Sequence, residues 1–141
     1  MATLAELYQS VIVEHDRSPR NFRALEHPSH RAEGRNPLCG DEIAVELQID
    51  PDGRIDEIGF QGRGCAISRA SASMMTAALK GRTVTEAKAL FAGFHALLTG
   101  GDPGIELGKL EVFRGVAQYP MRVKCATLPW HTMNEALGDE R

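Results

Sequence analysis

The stretch EIAVELQIDPDGRIDEIGFQG, residues 42–62, predicts a β-hairpin at the centre of the fold. In its first half Ile43, Val45 and Leu47 alternate with other residues, which is typical of a strand with one buried face. The segment PDGR, residues 51–54, consists of residue types that favour a tight turn. Apolar residues then return, so we expect a second strand antiparallel to the first.

Helical patterns lie on both sides of this hairpin. We expect a second helix from about Ala66 to Gly81, a third over residues 83–100 and a last one that continues through Pro129. Residues 20–40 are polar and are predicted to form a loop, while residues 106–120 form a short helix or an irregular segment. The first helix, which Pro19 ends, has its apolar residues at helical spacing: Leu4, Leu7, Tyr8, Val11 and Ile12. The predicted fold class is therefore α+β, a single domain over residues 1–141 with a small antiparallel β-sheet covered by helices on one face.

Length and charge exclude several classes of function. The 141 residues suit one domain, and the net charge of −3 argues against nucleic acid as the main partner. No apolar run approaches the roughly 20 residues that a membrane-spanning helix needs. The N-terminus lacks the basic region of a signal peptide. We therefore expect no membrane association and a cytoplasmic location.

The chain has three cysteines, Cys39, Cys65 and Cys125, and none of them forms a C-x-x-C pair. An odd number is unsuited to a disulfide framework, so we expect thiols in a reducing compartment. Each cysteine lies near the expected end of a strand or helix, where loops can converge on one face. Together with Asp41 they would make a four-ligand set that suits zinc or the iron of an iron–sulfur cluster.

Basic residues accompany two of these cysteines. Three thiolates and a carboxylate bring four negative charges, so such a site needs cations nearby. Arg122 and Lys124 precede Cys125 by three and one positions, and Arg63 and Arg69 flank Cys65. We expect their side chains to donate to the sulfur atoms.

Each of these features also has a simpler interpretation. A lone cysteine is most often a small buried apolar residue, and C-G-D is common in turns. The basic residues are compatible with an ordinary solvated face. None of the five histidines has ligand spacing such as H-E-x-x-H. We expect His131, the one nearest to a cysteine, to be exposed.

Five motifs, taken in order along the chain, resemble the U-type iron–sulfur assembly proteins, the family of IscU, SufU and the N-terminal part of NifU. They are LYQSVIVEH (7–15), SPRN (18–21), NPLCGDEI (36–43), GFQGRGCAISRASASMM (59–75) and RVKCATLPWH (122–131). The resemblance covers nearly the whole chain and implies a fold like that of IscU and SufE. Two features are similar to the SufU branch: an inserted segment at about residues 81–105, and Lys124 where IscU-type members have histidine.

The resemblance implies the chemistry of the site. It implies that Cys39, Asp41, Cys65 and Cys125 bind zinc or, alternatively, an iron–sulfur cluster. It also implies a zinc-dependent sulfurtransferase that accepts persulfide sulfur from a SufS-type cysteine desulfurase. The sulfur then passes toward a SufBCD-type cluster scaffold. We expect Cys39 to accept the sulfur and Arg122 to steady the changing negative charge.

Two other functions remain open from the sequence. The protein could be a scaffold on which a [2Fe–2S] cluster forms and leaves, or a structural zinc domain that only adjusts a partner. Lys124 and the segment 81–105 favour the sulfurtransferase over the scaffold, and QYPMRVK (118–124) lacks the LPPVK motif by which IscU-type proteins meet their chaperone. Asp41 disfavours the structural domain, because structural zinc sites are closed by Cys and His ligands.

Overall fold

Residues 3–37 and 40–138, which the computed structural model describes, form three strands, four α-helices and one 3-10 helix. In chain order they are α1 Leu4–Arg17, β1 His30–Asn36, β2 Asp41–Ile49, β3 Ile55–Arg63, α2 Ala66–Leu79, α3 Val84–Leu98, the 3-10 helix Gly108–Gln118 and α4 Pro120–Leu137. None of the described helices is both long enough and apolar enough to cross a membrane.

The predicted hairpin is present and forms two thirds of the sheet. β2 pairs with β3 in antiparallel fashion, with Val45 opposite Phe60, and the strand order is β1-β2-β3. Buried and half-buried residues alternate along β2, as its sequence predicts. α4 packs against β1 and β2, and α2 packs against β3. The helices therefore cover one face of the sheet, and the expected α+β class is confirmed.

The prediction of a loop over residues 20–40 is wrong for its last part, because β1 occupies His30–Asn36. This strand lies at the edge of the sheet. Between its two end residues, the only residues that face the helices are the small ones, Ala32 and Gly34. A Cβ at Gly34 would lie 2.0 Å from Thr132 Oγ1 of α4, so the close approach of helix and strand requires glycine. An edge strand of this kind has no apolar alternation for a sequence pattern to detect.

The helices follow their predicted positions with two differences. Thr83 and Glu86 form a capping box at the start of α3, and α4 runs through Pro129. Leu7 was expected on the buried face of α1, but its side chain is 53% exposed. Cys125 was expected at or near a helix start, yet it is the sixth residue of α4 and lies in its second turn. Its chemistry therefore depends on packing rather than on a helix terminus.

A hydrogen-bonded contact joins α1 to α2. His15 Nδ1 lies 2.7 Å from Ser73 Oγ, which also accepts a hydrogen bond from the Arg20 backbone N–H at 2.8 Å. Burial lowers the pKa of His15 below its ordinary value, and the positive charge of Arg20 lowers it further. Lys109 acts in the same direction and Glu14 opposes it. The folded protein therefore holds His15 neutral more firmly than the unfolded chain does.

This contact predicts a loss of stability in mild acid. The unfolded chain protonates His15 near pH 6.5, whereas the folded chain resists protonation until lower pH. The contribution of neutral His15 to the free energy of unfolding is therefore complete above pH 6.5, and it is lost as the pH decreases through the lowered pKa. We expect His15→Gln to lose less stability than the wild type between pH 7.5 and pH 5.5, measured by urea unfolding. Equal losses in the two proteins would contradict the assignment to His15.

Candidate metal centre

Asp41 is the most buried of the three predicted ligands that the structure describes. It is the first residue of β2, pairs with Asn36 of β1 and is only 1% exposed. Its Oδ1 accepts a hydrogen bond of 2.9 Å from the backbone N–H of Cys65. A Cβ at Gly64 would lie 2.6 Å from Oδ1, so glycine leaves the space that the carboxylate occupies. In the sequence, the place of Gly64 before a cysteine is the one signal of this role.

Cys65 lies at the N-cap of α2. Its Sγ accepts a hydrogen bond of 3.5 Å from the Ser68 N–H, and the residue is exposed. Sγ is also 3.8 Å from Asp41 Oδ2. At this N-terminal position the sulfur lies beside backbone amides that have no partner within the helix. The predicted position of Cys65 at the junction of a glycine loop and a helix is confirmed.

Cys125 approaches the same point from α4 and is 5% exposed. The next residue anchors the helix, because the Ser71 hydroxyl of α2 donates a hydrogen bond of 2.5 Å to the Ala126 carbonyl. The three potential ligand atoms of Asp41, Cys65 and Cys125 all lie within 4.8 Å of one another. Strand β2, the start of α2 and the second turn of α4 therefore meet at one centre.

The chemistry of these donors fits zinc. Two thiols and one carboxylate are ligands that Zn²⁺ accepts, whereas Ca²⁺ and Mg²⁺ require oxygen. Within residues 3–37 and 40–138, this is the group of three or more Cys, His, Asp or Glu side chains that has ligand spacing. A tetrahedral ion needs a fourth ligand. Cys39, the fourth predicted ligand, lies outside the described residues.

The predicted basic neighbours do not all face the centre. Arg63 makes an ion pair with Glu42 at 3.5 Å, and Arg69 makes one with Asp16 at 3.1 Å. Both guanidinium groups therefore pair with acidic groups on the sheet and on α1, and their expected donation to the sulfur atoms stays a prediction. Lys124 is exposed.

Arg122 is exposed on the first turn of α4, three residues before Cys125 and so on a neighbouring position of the helix surface. Its guanidinium lies over the ring of Tyr119, 4.8 Å from the ring centroid. A cation–π contact of this kind at an exposed position contributes roughly 0.5–1 kcal/mol, which a nearby anion can outweigh. Its predicted role at the centre stays a prediction.

The histidines give one unexpected result. His131 is exposed, as predicted, but its ring lies 5.9 Å from the ring of His95 on α3. These residues are far apart in the sequence, so no motif spacing could have linked them.

A cleft of about 640 Å³ lies away from the centre. Its lining comes from α1, α2, α3 and the start of the 3-10 helix and includes His15, Met74 and Lys109. Asp41, Cys65 and Cys125 do not line it. Of the three donors, Cys65 is exposed, whereas Asp41 and Cys125 are buried beneath the surface.

The fold and the centre together define a small α+β domain in which two cysteines and an aspartate, the thiolate centre, could hold a metal ion at one end of the sheet. Residues 7–126 match the family described as NifU-like N terminal domain. The chain is 39% identical over 141 residues to the zinc-dependent sulfurtransferase SufU of Bacillus subtilis, a match that covers 99% of this chain and 95% of the relative. The chain belongs to this NifU-like family.

Two further comparisons agree. The iron–sulfur cluster assembly scaffold protein IscU of Streptococcus pyogenes is 38% identical over 139 residues, which cover 97% of this chain and 86% of that protein. A crystal structure of a putative iron–sulfur cluster assembly scaffold protein for the SUF system from Fervidobacterium islandicum superimposes with a TM-score of 0.85 at 33% identity. That match covers 90% of this chain and 93% of the other. The fold predicted from the sequence is the fold of this family.

Proposed function

We propose that this protein serves iron–sulfur cluster assembly as a zinc-dependent sulfurtransferase, which takes persulfide sulfur from a SufS-type cysteine desulfurase. The observation that carries the proposal is the meeting of Asp41, Cys65 and Cys125, whose ligand atoms lie within 4.8 Å of one another with Cys65 exposed. The relative from Bacillus subtilis, which bears this function in its name, supports it at 39% identity. A SufBCD-type scaffold would receive the sulfur, and the reaction would take place in the cytoplasm.

Cys39 completes the proposed ligand set. It is two residues before Asp41, so the chain holds its Cα within roughly 7 Å of the Asp41 Cα. Gly40, with a φ of +74°, lies between them in a conformation that glycine adopts without strain. Bound zinc would keep the thiols of Cys39, Cys65 and Cys125 ionised and protected from oxidation.

The proposed transfer is an exchange between sulfur atoms. The Cys39 thiolate attacks the terminal sulfur of the desulfurase persulfide. The S–S bond of the donor breaks, a new S–S bond forms on Cys39, and the donor cysteine leaves as a thiolate. Charge and redox state balance without an external oxidant. Arg122 would leave the Tyr119 ring and bind the added negative charge, as an exposed and flexible guanidinium can.

The test is the rate at which a SufS-type desulfurase forms alanine from cysteine in the presence of a reductant. We expect the wild-type protein to increase this rate in proportion to its concentration, and we expect Cys39→Ala and Cys39→Ser to give no increase. Arg114→Ala, which changes an exposed residue of the 3-10 helix, is the matched control and should behave as wild type. A Cys39 variant with full stimulation would contradict the assignment of the acceptor.

The second candidate is a scaffold for a [2Fe–2S] cluster, which the relative named as a scaffold in Streptococcus pyogenes favours. Thiolates and a carboxylate can hold iron as well as zinc. Absence of any stimulation by the wild-type protein, together with a cluster formed on anaerobic loading with iron and sulfide, would favour this candidate over the transferase.

A further inference from the structure

A pair of histidines bridges α3 and α4 on a different face of α4 from its thiol. His95 lies in the last turn of α3 and His131 in the middle of α4, and both are exposed. Their ring centroids are 5.9 Å apart, with an angle of 78° between the ring planes. Two imidazoles from separate helices therefore point to a common region of the surface.

Phe91 fixes the positions of both rings. Its ring contacts His131 edge to face at 5.1 Å and His95 at 6.2 Å, and it stacks on the buried Trp130 at 6.3 Å. Phe91 precedes His95 by one helical turn, so it lies directly below the pair on the same face of α3. An apolar floor of this kind limits the rotamers of the two imidazoles and reduces the entropy that a ligand must overcome.

We propose that His95 and His131 form a second metal site, which binds a divalent ion of the zinc type. Imidazole nitrogen is a preferred ligand of such ions. With Zn–N bonds of about 2.0–2.1 Å, two imidazoles on one tetrahedral ion have ring centroids roughly 5 Å apart. The observed ring-centroid distance of 5.9 Å is slightly longer than this, so the two side chains would move closer together when they share an ion.

The protein ligands of this site are the two imidazoles. No carboxylate or thiol within residues 3–37 and 40–138 joins the pair at ligand spacing. Water therefore completes the coordination, and the site binds less tightly than the thiolate centre.

The site is separate from the thiolate centre. Cys125 and His131 are six residues apart on α4, which places them roughly 9 Å apart along the helix axis and on different faces. α3 contributes to the histidine pair and contributes no ligand to the thiolate centre. The two sites can therefore be distinguished by mutation, whichever metal the thiolate centre holds.

The experiment is a titration of the purified protein with Zn²⁺ at pH 7.5 in an isothermal titration calorimeter. We expect one zinc-binding event in addition to any zinc held by the thiolate centre. The substitutions His95→Gln and His131→Gln should each lower the affinity of this event at least tenfold. His27→Gln, at an exposed histidine outside every helix and strand, is the matched control and should bind as wild type. Equal isotherms for the wild type and both variants would overturn the proposal.

A second measurement locates the bound ion. Added Ni²⁺, which is paramagnetic, should broaden the imidazole NMR signals of His95 and His131 before those of His27. Zn²⁺ should also raise the melting temperature of the wild type more than that of either variant, because the ion binds only when α3 and α4 are packed. Broadening of all the histidine signals at the same Ni²⁺ concentration would show binding without a defined site. Because these readouts do not measure sulfur transfer, they can fail while the proposed function stands, and the reverse also holds.

Discussion

Asp41→Ala is expected to remove the metal from the centre and to stop sulfur transfer. The substitution deletes one ligand and leaves the Cys65 N–H without the carboxylate oxygen that now accepts its hydrogen bond at 2.9 Å. A hydrogen bond to a charged group contributes about 1.5–3 kcal/mol, so the protein should also lose stability. Loss of a bound zinc adds to this, since binding to the folded state alone stabilises it.

Asp41→Asn separates the two effects. Asparagine has nearly the same shape, and its carbonyl oxygen can still accept the Cys65 N–H, but it lacks the negative charge that binds a cation. We expect Asp41→Asn to retain most of the stability while its zinc affinity falls at least tenfold, which corresponds to about 1.4 kcal/mol. Zinc content under chelator competition and the melting temperature are the measurements. Wild-type zinc affinity in both variants would show that Asp41 is not a ligand.

The same variants distinguish the two candidate functions. A sulfur carrier with Asp41→Ala should no longer stimulate the desulfurase. A cluster scaffold should instead hold its cluster more tightly, because the weakest and hardest ligand of the set has been removed. Cluster lifetime after anaerobic loading, measured by absorbance, reports the second outcome independently of the first.

Trp130→Ala is expected to destabilise the fold by roughly 3–5 kcal/mol. Trp130 has no exposed surface and stacks on Phe94 at 4.8 Å and on Phe91 at 6.3 Å. It therefore joins α4 to α3 in the centre of the helical layer. Alanine would leave a cavity beside both rings that the rigid sheet and helices cannot close. A loss of this size is a large part of the 5–15 kcal/mol that holds a typical domain folded.

Trp130→Phe is the matched control. It keeps a stacked ring and removes the indole N–H, for which no acceptor is present among the described residues. We expect Trp130→Phe to lower the free energy of unfolding by less than half as much as Trp130→Ala does, because a buried N–H without an acceptor is itself unfavourable. Urea unfolding followed by circular dichroism measures both, since Trp130 is the only tryptophan and fluorescence would be lost with it. A loss below 1 kcal/mol in Trp130→Ala would mean that α4 repacks without this side chain.

Much of the fold could be predicted because its signals are local. The alternation of Ile43, Val45 and Leu47, the turn at residues 51–54 and the capping box of α3 depend on residues close together in the chain. Strand β1 was missed for the opposite reason. Its inward face carries His30, Ala32, Gly34 and Asn36, none of them a large apolar residue, and it is a strand because β2 offers hydrogen bonds and α4 needs a close surface.

The sequence by itself determined the hairpin, the helices, the family and the kinds of donor at the centre, because periodicity, caps and motifs are properties of neighbouring residues. Only the tertiary structure decided that Asp41, Cys65 and Cys125 converge and that Arg63 and Arg69 turn to acidic partners instead. The tertiary structure also decided that the rings of His95 on α3 and His131 on α4 lie 5.9 Å apart. The physical reason is that packing between distant segments sets these distances, and the separation of two residues along the chain does not determine how far apart they lie in the fold.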